Sequence, residues 1–415
     1  MAWMIRIFIL ALFIGSNLYL LDTSLTLFNL FFAGLIIGLP IMAIKKGFSE
    51  NVIKFYFLLF IQLVIYVVYF VWGNSHGLEA VKDLFYSMIF LVLLIWLYWM
   101  VKSHGLKVYH VIYKTLFFFL ILICAIVIFE MITGLHLPAH SEELKFAFVP
   151  TAFFTNPNDL SVAAVVIFAF VFFWAGLRKD RAIQVVSLII TAFIVFVTLS
   201  RLSMFVFLIY IISYQFVKLN YIRLLVSASL LLVVLLMSTL LIYNVSDIQV
   251  RNPVVQRSLS RVVSVHEFNE QAHSASSANK RLEVWKKILS NPGDYIIGHG
   301  WGDHTQFLHR EVGVEMNSMH SYLLEMIYNV GILGILPIIL FFISMLVIAA
   351  LLSNNSVIAR YAFIHILLLL LLTNVPSGVI RFPLIWFVMT LPVTLLLLHP
   401  HVNTQQIVKK HNHEQ

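Results

Sequence analysis

His320 is the side chain in this protein best placed for chemistry, because of the residues that follow it. Ser321 comes next, and Gly331 and Gly334 follow after nine further residues. In a continuous helix of about 100° per residue, Gly331 would fall about 20° and Gly334 about 40° around from His320. The glycines would let a second helix pack closely, and the imidazole is placed to accept a proton near the membrane surface. The pattern indicates chemistry at a membrane interface. Glu325 lies one helical turn after Ser321 and is expected to form a hydrogen bond with Ser321.

Three arginines beside apolar segments are candidates for binding an anion. Arg201 separates two apolar runs, and an arginine within a membrane usually faces a partner or a cavity. An interfacial anchor is the alternative. Arg281 begins an amphipathic stretch that ends at Ser290, where an ordinary surface charge is the alternative. Arg381 opens the last apolar segment, where an interfacial anchor and a functional residue are equally good explanations.

A glycine-rich turn at 298–302 contains His299, a further candidate for the site. Its backbone amides could approach an anion, although an ordinary flexible turn is the more common explanation of such residues. Earlier in the chain, Asn156-Pro157-Asn158-Asp159 precedes another apolar run. Asn158 or Asp159 is expected to cap the helix that begins there.

The composition indicates a membrane protein. Of the 415 residues, 61% are hydrophobic and 11% are charged, whereas soluble domains carry about 25% charged residues. The single cysteine, Cys124, excludes a disulfide within the chain. The net charge of +8 would suggest nucleic acid in a soluble protein, but here it is largely a topology signal.

Apolar runs long enough to cross about 30 Å of hydrocarbon predict an all-α polytopic membrane protein with twelve transmembrane helices. No cleavable signal peptide is evident, so the first run is interpreted as a span. The predicted spans are 3–21, 24–44, 52–73, 80–101, 108–131, 159–177, 182–200, 202–219, 221–243, 319–351, 358–373 and 379–399.

The basic residues support this count, because most of them fall at alternate connections, as cytoplasmic loops require. Both termini are therefore expected in the cytoplasm. Helices one to nine (1–243) precede a large outer loop with short amphipathic helices (244–318), the last three helices (319–399) and a cytoplasmic tail (400–415). The basic residues predicted to be cytoplasmic are Arg6, Lys45, Lys46, Lys54, Lys102, Lys107, Lys114, Arg178, Lys179, Arg181, Lys218, Arg223, Arg360, Lys409 and Lys410.

Together these motifs resemble the O-antigen ligase and polymerase superfamily of bacterial envelope glycan assembly. His320-Ser321-x9-Gly331-x2-Gly334 resembles the family's histidine signature, and Arg281-x3-Trp285 with the turn at 298–302 resembles the stretch before it. Thr198-Leu199-Ser200-Arg201 and Asn156-Pro157-Asn158 are similar to two further family features.

The resemblance implies transfer of a glycan from undecaprenyl pyrophosphate to an acceptor hydroxyl on the outer face of the bacterial cytoplasmic membrane. It implies no metal or other cofactor, and no nucleic-acid partner is expected. Arg201 and Arg281 would bind the pyrophosphate and His320 would act as general base, in a single inverting displacement. Arg381 and His299 are secondary candidates.

Three functions remain open at this point. A ligase would load a lipopolysaccharide core, whereas a polymerase would join repeat units of O-antigen, capsule or a teichuronic-type polymer. The ungapped histidine motif favours the ligase. A transporter of lipid-linked glycans is the non-enzyme alternative, but no internal repeat is evident and acidic residues within the spans are scarce.

Overall fold

The computed structural model describes residues 1–13, 27–46, 50–72, 77–135, 149–154, 156–198, 200–217, 277–302, 307–313, 319, 321–354, 356–374 and 380–398. These ranges are helical and contain no strand. The α-helices are α1 (Ala2–Phe13), α2 (Leu27–Lys46), α3 (Glu50–Trp72), α4 (Gly77–Ser87), α5 (Ile89–His104), α6 (Lys107–Thr133), α7 (Pro157–Leu177), α8 (Arg181–Thr198), α9 (Arg201–Val217), α10 (Ser277–Ser290), α11 (Tyr322–Leu352), α12 (Val357–Leu372) and α13 (Pro383–Leu398).

The helices follow the predicted spans closely. Six helices within the described ranges are long and apolar enough to cross a membrane, and shorter apolar helices accompany them. The chain is therefore a polytopic membrane protein. The predicted span 221–243 and most of the loop 244–318 lie outside the described residues, so the count of twelve and the division into 1–243, 244–318, 319–399 and 400–415 stay predictions.

Two helices form the centre of the bundle. In α7 and α13 nearly every residue is buried, whereas helices such as α3 and α6 bury one side and expose large apolar residues on the other. An exposed apolar side is expected where a helix faces lipid. The central pair therefore supplies a fixed frame against which the helices that carry the candidate residues are placed.

A side-chain amide is inserted into the backbone of α11. Gln62 of α3 donates from Nε2 to the carbonyl oxygen of Gly334 at 2.6 Å and accepts from the backbone nitrogen of Ile338 at 3.0 Å. In an uninterrupted helix these two backbone groups would bond to each other. Pro337 lies within the same turn and removes a further donor. Gln62 thus fastens α11 to α3 where the helix is weakest.

We expect Gln62→Met to lower the thermal stability of the protein, because it leaves two backbone groups unpaired within the membrane. Each group left without a partner costs about 1–3 kcal/mol. Heating in detergent followed by size-exclusion chromatography would measure the midpoint of aggregation. Ser344→Ala is the matched control, since the exposed Ser344 hydroxyl bonds only to the preceding turn of α11. Equal midpoints for the two variants would contradict the structural role of Gln62.

Candidate active site

Helix α11 is broken at Gly331. This residue has φ 76° and ψ 172°, so two helical segments meet there at a kink. A residue with this φ is costly unless it is glycine. The prediction that His320, Gly331 and Gly334 share one continuous helical face is therefore wrong, because the helix does not continue through Gly331.

The glycine-rich turn supplies the hydrogen bonds that the break removes from α11. The backbone nitrogens of His299 and Gly300 donate to the carbonyls of Tyr328 and Asn329 at 2.8 and 3.0 Å, and Leu333 donates to the carbonyl of Ile296 at 3.3 Å. These two amides of the turn are thus engaged with α11. They are therefore not available to an anion, and anion binding by the rest of the turn stays a prediction.

Close backbone contact explains the glycines on both sides of the break. A Cβ atom on Gly331 would lie 2.5 Å from the carbonyl oxygen of Ile296 and 2.6 Å from the nitrogen of Gly298. A Cβ atom on Gly298 would collide with the backbone of Asn329. The close neighbour of Gly331 is therefore a loop and not the second helix that we expected, although at Gly334 a Cβ atom would meet Ile65 of α3 at 3.5 Å.

Trp301 anchors the glycine-rich turn to α3. Its side chain is fully buried, and its Nε1 donates to the backbone oxygen of Tyr66 at 3.2 Å. The Tyr66 hydroxyl lies 3.4 Å from the hydroxyl of Tyr322, the first residue of α11. The turn, α3 and the start of α11 are thus joined by polar contacts.

His299 has a packing role in this turn. Its ring stacks on Tyr328 with 4.8 Å between the centroids and also contacts Tyr295 at 5.2 Å. The ring is half-buried, and its Nδ1 is buried without a hydrogen bond among the described residues. These contacts support a structural role for His299, and a role in binding substrate stays a prediction.

The helix that carries Arg281 packs beside the residues that flank His320. Val284 and Ile288 of α10 belong to a hydrophobic cluster that also includes Met319, Leu324 and Tyr328. Position 320 itself and the side chain of position 281 lie outside the described residues. The cluster nevertheless fixes α10 against the backbone immediately before and after the histidine.

Arg201 is the first residue of α9 and lies beside the start of α7. The Ser203 hydroxyl is 2.8 Å from that of Ser161 and 2.9 Å from that of Ser200. The cap of α7 is Asn156, whose side chain accepts from the nitrogen of Asn158 at 2.8 Å. The prediction of Asn158 or Asp159 as the cap is wrong, because the proline after Asn156 occupies the first helical position.

Two ring contacts show at which end of the bundle Arg201 lies. Phe173 of α7 stacks on Tyr361 of α12 at 3.5 Å, and Tyr210 of α9 meets His365 of α12 at 6.1 Å. Helices α7 and α9 start side by side. Tyr361 meets α7 far from its start, and the later residue His365 meets α9 closer to its start, so α12 runs antiparallel to both. Arg201 lies about 13 Å along α9 from Tyr210 by helical rise, and the C-terminal end of α12 lies a similar distance beyond His365.

The end of α12 holds the start of α11. The carbonyl of Thr373 accepts from the nitrogen of Tyr322 at 3.2 Å, and the Ser321 hydroxyl donates to Oδ1 of Asn374 at 2.7 Å. The Ser321 hydroxyl therefore donates to Asn374, while the backbone nitrogen of Glu325 donates to the carbonyl of Ser321 at 3.0 Å. Arg201 and the residue after His320 consequently lie at the same end of the bundle. Thr373 and Asn374 have one recognisable signal in the sequence, because they are a polar pair that follows an apolar run.

Arg381 is ion-paired at this same end. Its Nε and one terminal nitrogen each lie 2.7 Å from Oδ1 of Asp83. Asp83 is buried, and the Arg381 side chain is 34% exposed. Asp83 belongs to none of the sequence motifs. The contact supports Arg381 as a structural anchor between α4 and the start of α13.

The described residues contain no group of three His, Cys, Asp or Glu side chains arranged to hold a metal ion. The meeting of Arg201, Arg281 and His320 stays a prediction, since the structure describes the backbone around all three but not their side chains. The start of α9, helix α10 and the start of α11 lie at one end of the bundle.

Gly331→Ala is expected to displace the glycine-rich turn. The new Cβ atom would strain a positive φ by about 1–2 kcal/mol and would push against the backbone at Ile296 and Gly298. We expect a lower melting temperature and faster proteolysis of the segment 291–302. Gly34→Ala is the control, because a Cβ atom there meets nothing within 4 Å. Unchanged proteolysis in Gly331→Ala would argue against the break.

Replacing Arg381 and replacing Asp83 should lower the stability of the protein by different amounts. Arg381→Met leaves a buried carboxylate without its ion-pair partner, whereas Asp83→Asn leaves an arginine that can turn toward water. We therefore expect Arg381→Met to lose about 1–3 kcal/mol of stability and Asp83→Asn to lose less.

Denaturation followed by circular dichroism would compare the two variants. Lys286→Ala is the control, because the pair of Lys286 and Glu283 is exposed and such pairs contribute little. A larger loss in Asp83→Asn than in Arg381→Met would contradict this account.

Comparison with known proteins gives one finding. Searches of curated proteins and of solved structures give no significant match. The model of the family described as O-antigen ligase matches residues 186–339, a range that includes Arg201, Arg281, His320 and both signature glycines. Over these residues, the family match supports membership of the O-antigen ligase superfamily.

Proposed function

We propose that the protein transfers a glycan from undecaprenyl pyrophosphate to an acceptor hydroxyl on the outer face of the bacterial cytoplasmic membrane, as a ligase. The family match carries this proposal, because it supports a lipid-linked glycan transferase-like function in a membrane. The matched segment contains the histidine and the two arginines that the chemistry needs.

The proposed reaction is one displacement at the anomeric carbon of the donor sugar. The acceptor oxygen forms the new glycosidic bond while its proton passes to His320. The bond from the anomeric carbon to the pyrophosphate oxygen breaks, and undecaprenyl pyrophosphate leaves. Arg201 and Arg281 stabilise the negative charge that grows on the leaving group, and attack from the opposite side inverts the anomeric centre.

The arrangement around position 320 supports a base with a fixed location. Met319 on one side is fully buried in the cluster with α10. Ser321 on the other side is 3% exposed and is hydrogen-bonded to Asn374. A general base must lie within hydrogen-bond reach of the proton that it removes, and buried neighbours on both sides favour this.

A repeat-unit polymerase would use the same donor site. The acceptor would separate the two activities, because a polymerase accepts the sugar of another lipid-linked repeat and a ligase accepts a lipid core. The histidine signature without a gap favours the ligase. A transporter of lipid-linked glycan is the non-enzyme alternative that the same experiment tests.

His320→Ala is expected to abolish product formation. Purified protein in detergent would be supplied with undecaprenyl-pyrophosphate-linked glycan and with either a lipid core or a second repeat unit, in the presence of EDTA. Loss of the base should lower the rate by about 10²–10⁴-fold. His309→Ala is the matched control, since His309 is an exposed histidine in the same part of the chain.

The outcomes of this assay are distinct. Product that requires His320 but not His309 supports the enzyme, and the acceptor used identifies a ligase or a polymerase. Equal activity in His320→Ala and the wild type would remove His320 from the mechanism. Failure with every acceptor, together with movement of the lipid carrier across liposomes, would replace the enzyme with a transporter.

A further inference from the structure

An apolar cavity of about 480 Å³ lies far from the candidate active site. It is formed where α12 lies against both α9 and α11. Ser213 of α9 is part of its lining and lies about 18 Å along that helix from Arg201 by helical rise. The cavity therefore extends from the middle of the bundle toward the end opposite Arg201, on the side that the charge pattern predicts to be cytoplasmic.

The lining combines one cation with an apolar wall. Arg360 and two serines are its polar residues. On α12, Phe363, Ile364 and Leu367 follow Arg360 by one or two turns and so continue the same side of the helix. The remaining lining residues are Ile209, Ala350 and Leu368. This combination suits an amphiphile with a negative head and a hydrocarbon chain.

Arg360 is held at the cavity by the end of α11. One of its terminal nitrogens donates to the carbonyl of Ser353 at 2.7 Å, and it also reaches the carbonyl of Asn354 at 3.5 Å. The side chain is half-buried and borders the apolar lining of the cavity. A guanidinium with five donors can bind a phosphate while keeping a bond of this kind.

We propose that this cavity binds an anionic phospholipid of the cytoplasmic leaflet, with the phosphate at Arg360 and an acyl chain along the apolar wall. Basic pockets between transmembrane helices on the cytoplasmic side bind the head groups of anionic lipids, and the volume lies within the range of about 300–1,000 Å³ of known ligand sites. The proposal depends on Arg360 and its surroundings and is independent of the proposed glycan transfer.

Photolabelling tests the proposal on the full-length protein. Phosphatidylglycerol with a diazirine in its acyl chain would be incorporated with the protein into phosphatidylcholine nanodiscs, and labelled peptides would be mapped by mass spectrometry. We expect labelling of α9 at 209–213 and of α12 at 360–368. Unlabelled phosphatidylglycerol should compete, and glycerol phosphate, which has no acyl chain, should not.

Arg360→Gln should reduce the labelling about fivefold, since one basic residue near an anionic leaflet contributes on the order of that factor. Arg178→Gln, which changes another predicted cytoplasmic arginine, should leave it unchanged. Ala350→Trp, which fills the cavity and keeps Arg360, should also reduce it, so the result does not depend on one variant that folds poorly. Equal labelling by phosphatidylcholine, or full labelling in a monodisperse Arg360→Gln protein, would overturn the proposal.

Discussion

The hydrogen bonds between the glycine-rich turn and the broken helix α11 are the interaction on which the rest of the candidate site depends. Within a membrane, backbone groups released by a break must find partners in the protein, because lipid offers none. Here the amides of His299 and Gly300 bond to the carbonyls of Tyr328 and Asn329. The break and the turn therefore require each other, because each supplies hydrogen-bond partners that the other lacks.

Because the turn and α11 depend on each other, the turn is held against the bundle. Trp301 fixes the turn to α3, and the cluster around Val284 and Ile288 fixes α10 to the first turns of α11. Asn374 holds Ser321 from the other side. The residues on both sides of position 320 are thus held in place, Met319 by the cluster with α10 and Ser321 by Asn374. Chemistry at that position would need such support, because small displacements of a base reduce its reach to the acceptor.

The sequence predicted the helices better than their interruptions. Hydropathy identifies a span from the average over about 20 residues, and the bounds of α6, α7 and α12 fall within two residues of the predictions. A glycine that breaks a helix and one that packs against a helix look alike in an apolar run, so Gly331 was misassigned. The contact of Asp83 with Arg381 spans 298 positions, and no local pattern reports a pairing at that separation.

Two buried carboxylates, Asp83 and Glu130, lie at the end of the bundle where the candidate residues are found. A free carboxylate near a bound pyrophosphate would repel it. Asp83 is instead paired with Arg381, and Glu130 accepts from the backbone nitrogens of Thr151 and Ala152 at 2.8 and 3.0 Å. Each of these charges is compensated inside the protein. The arginines predicted for the donor would then act on the substrate in a field that these two carboxylates do not cancel.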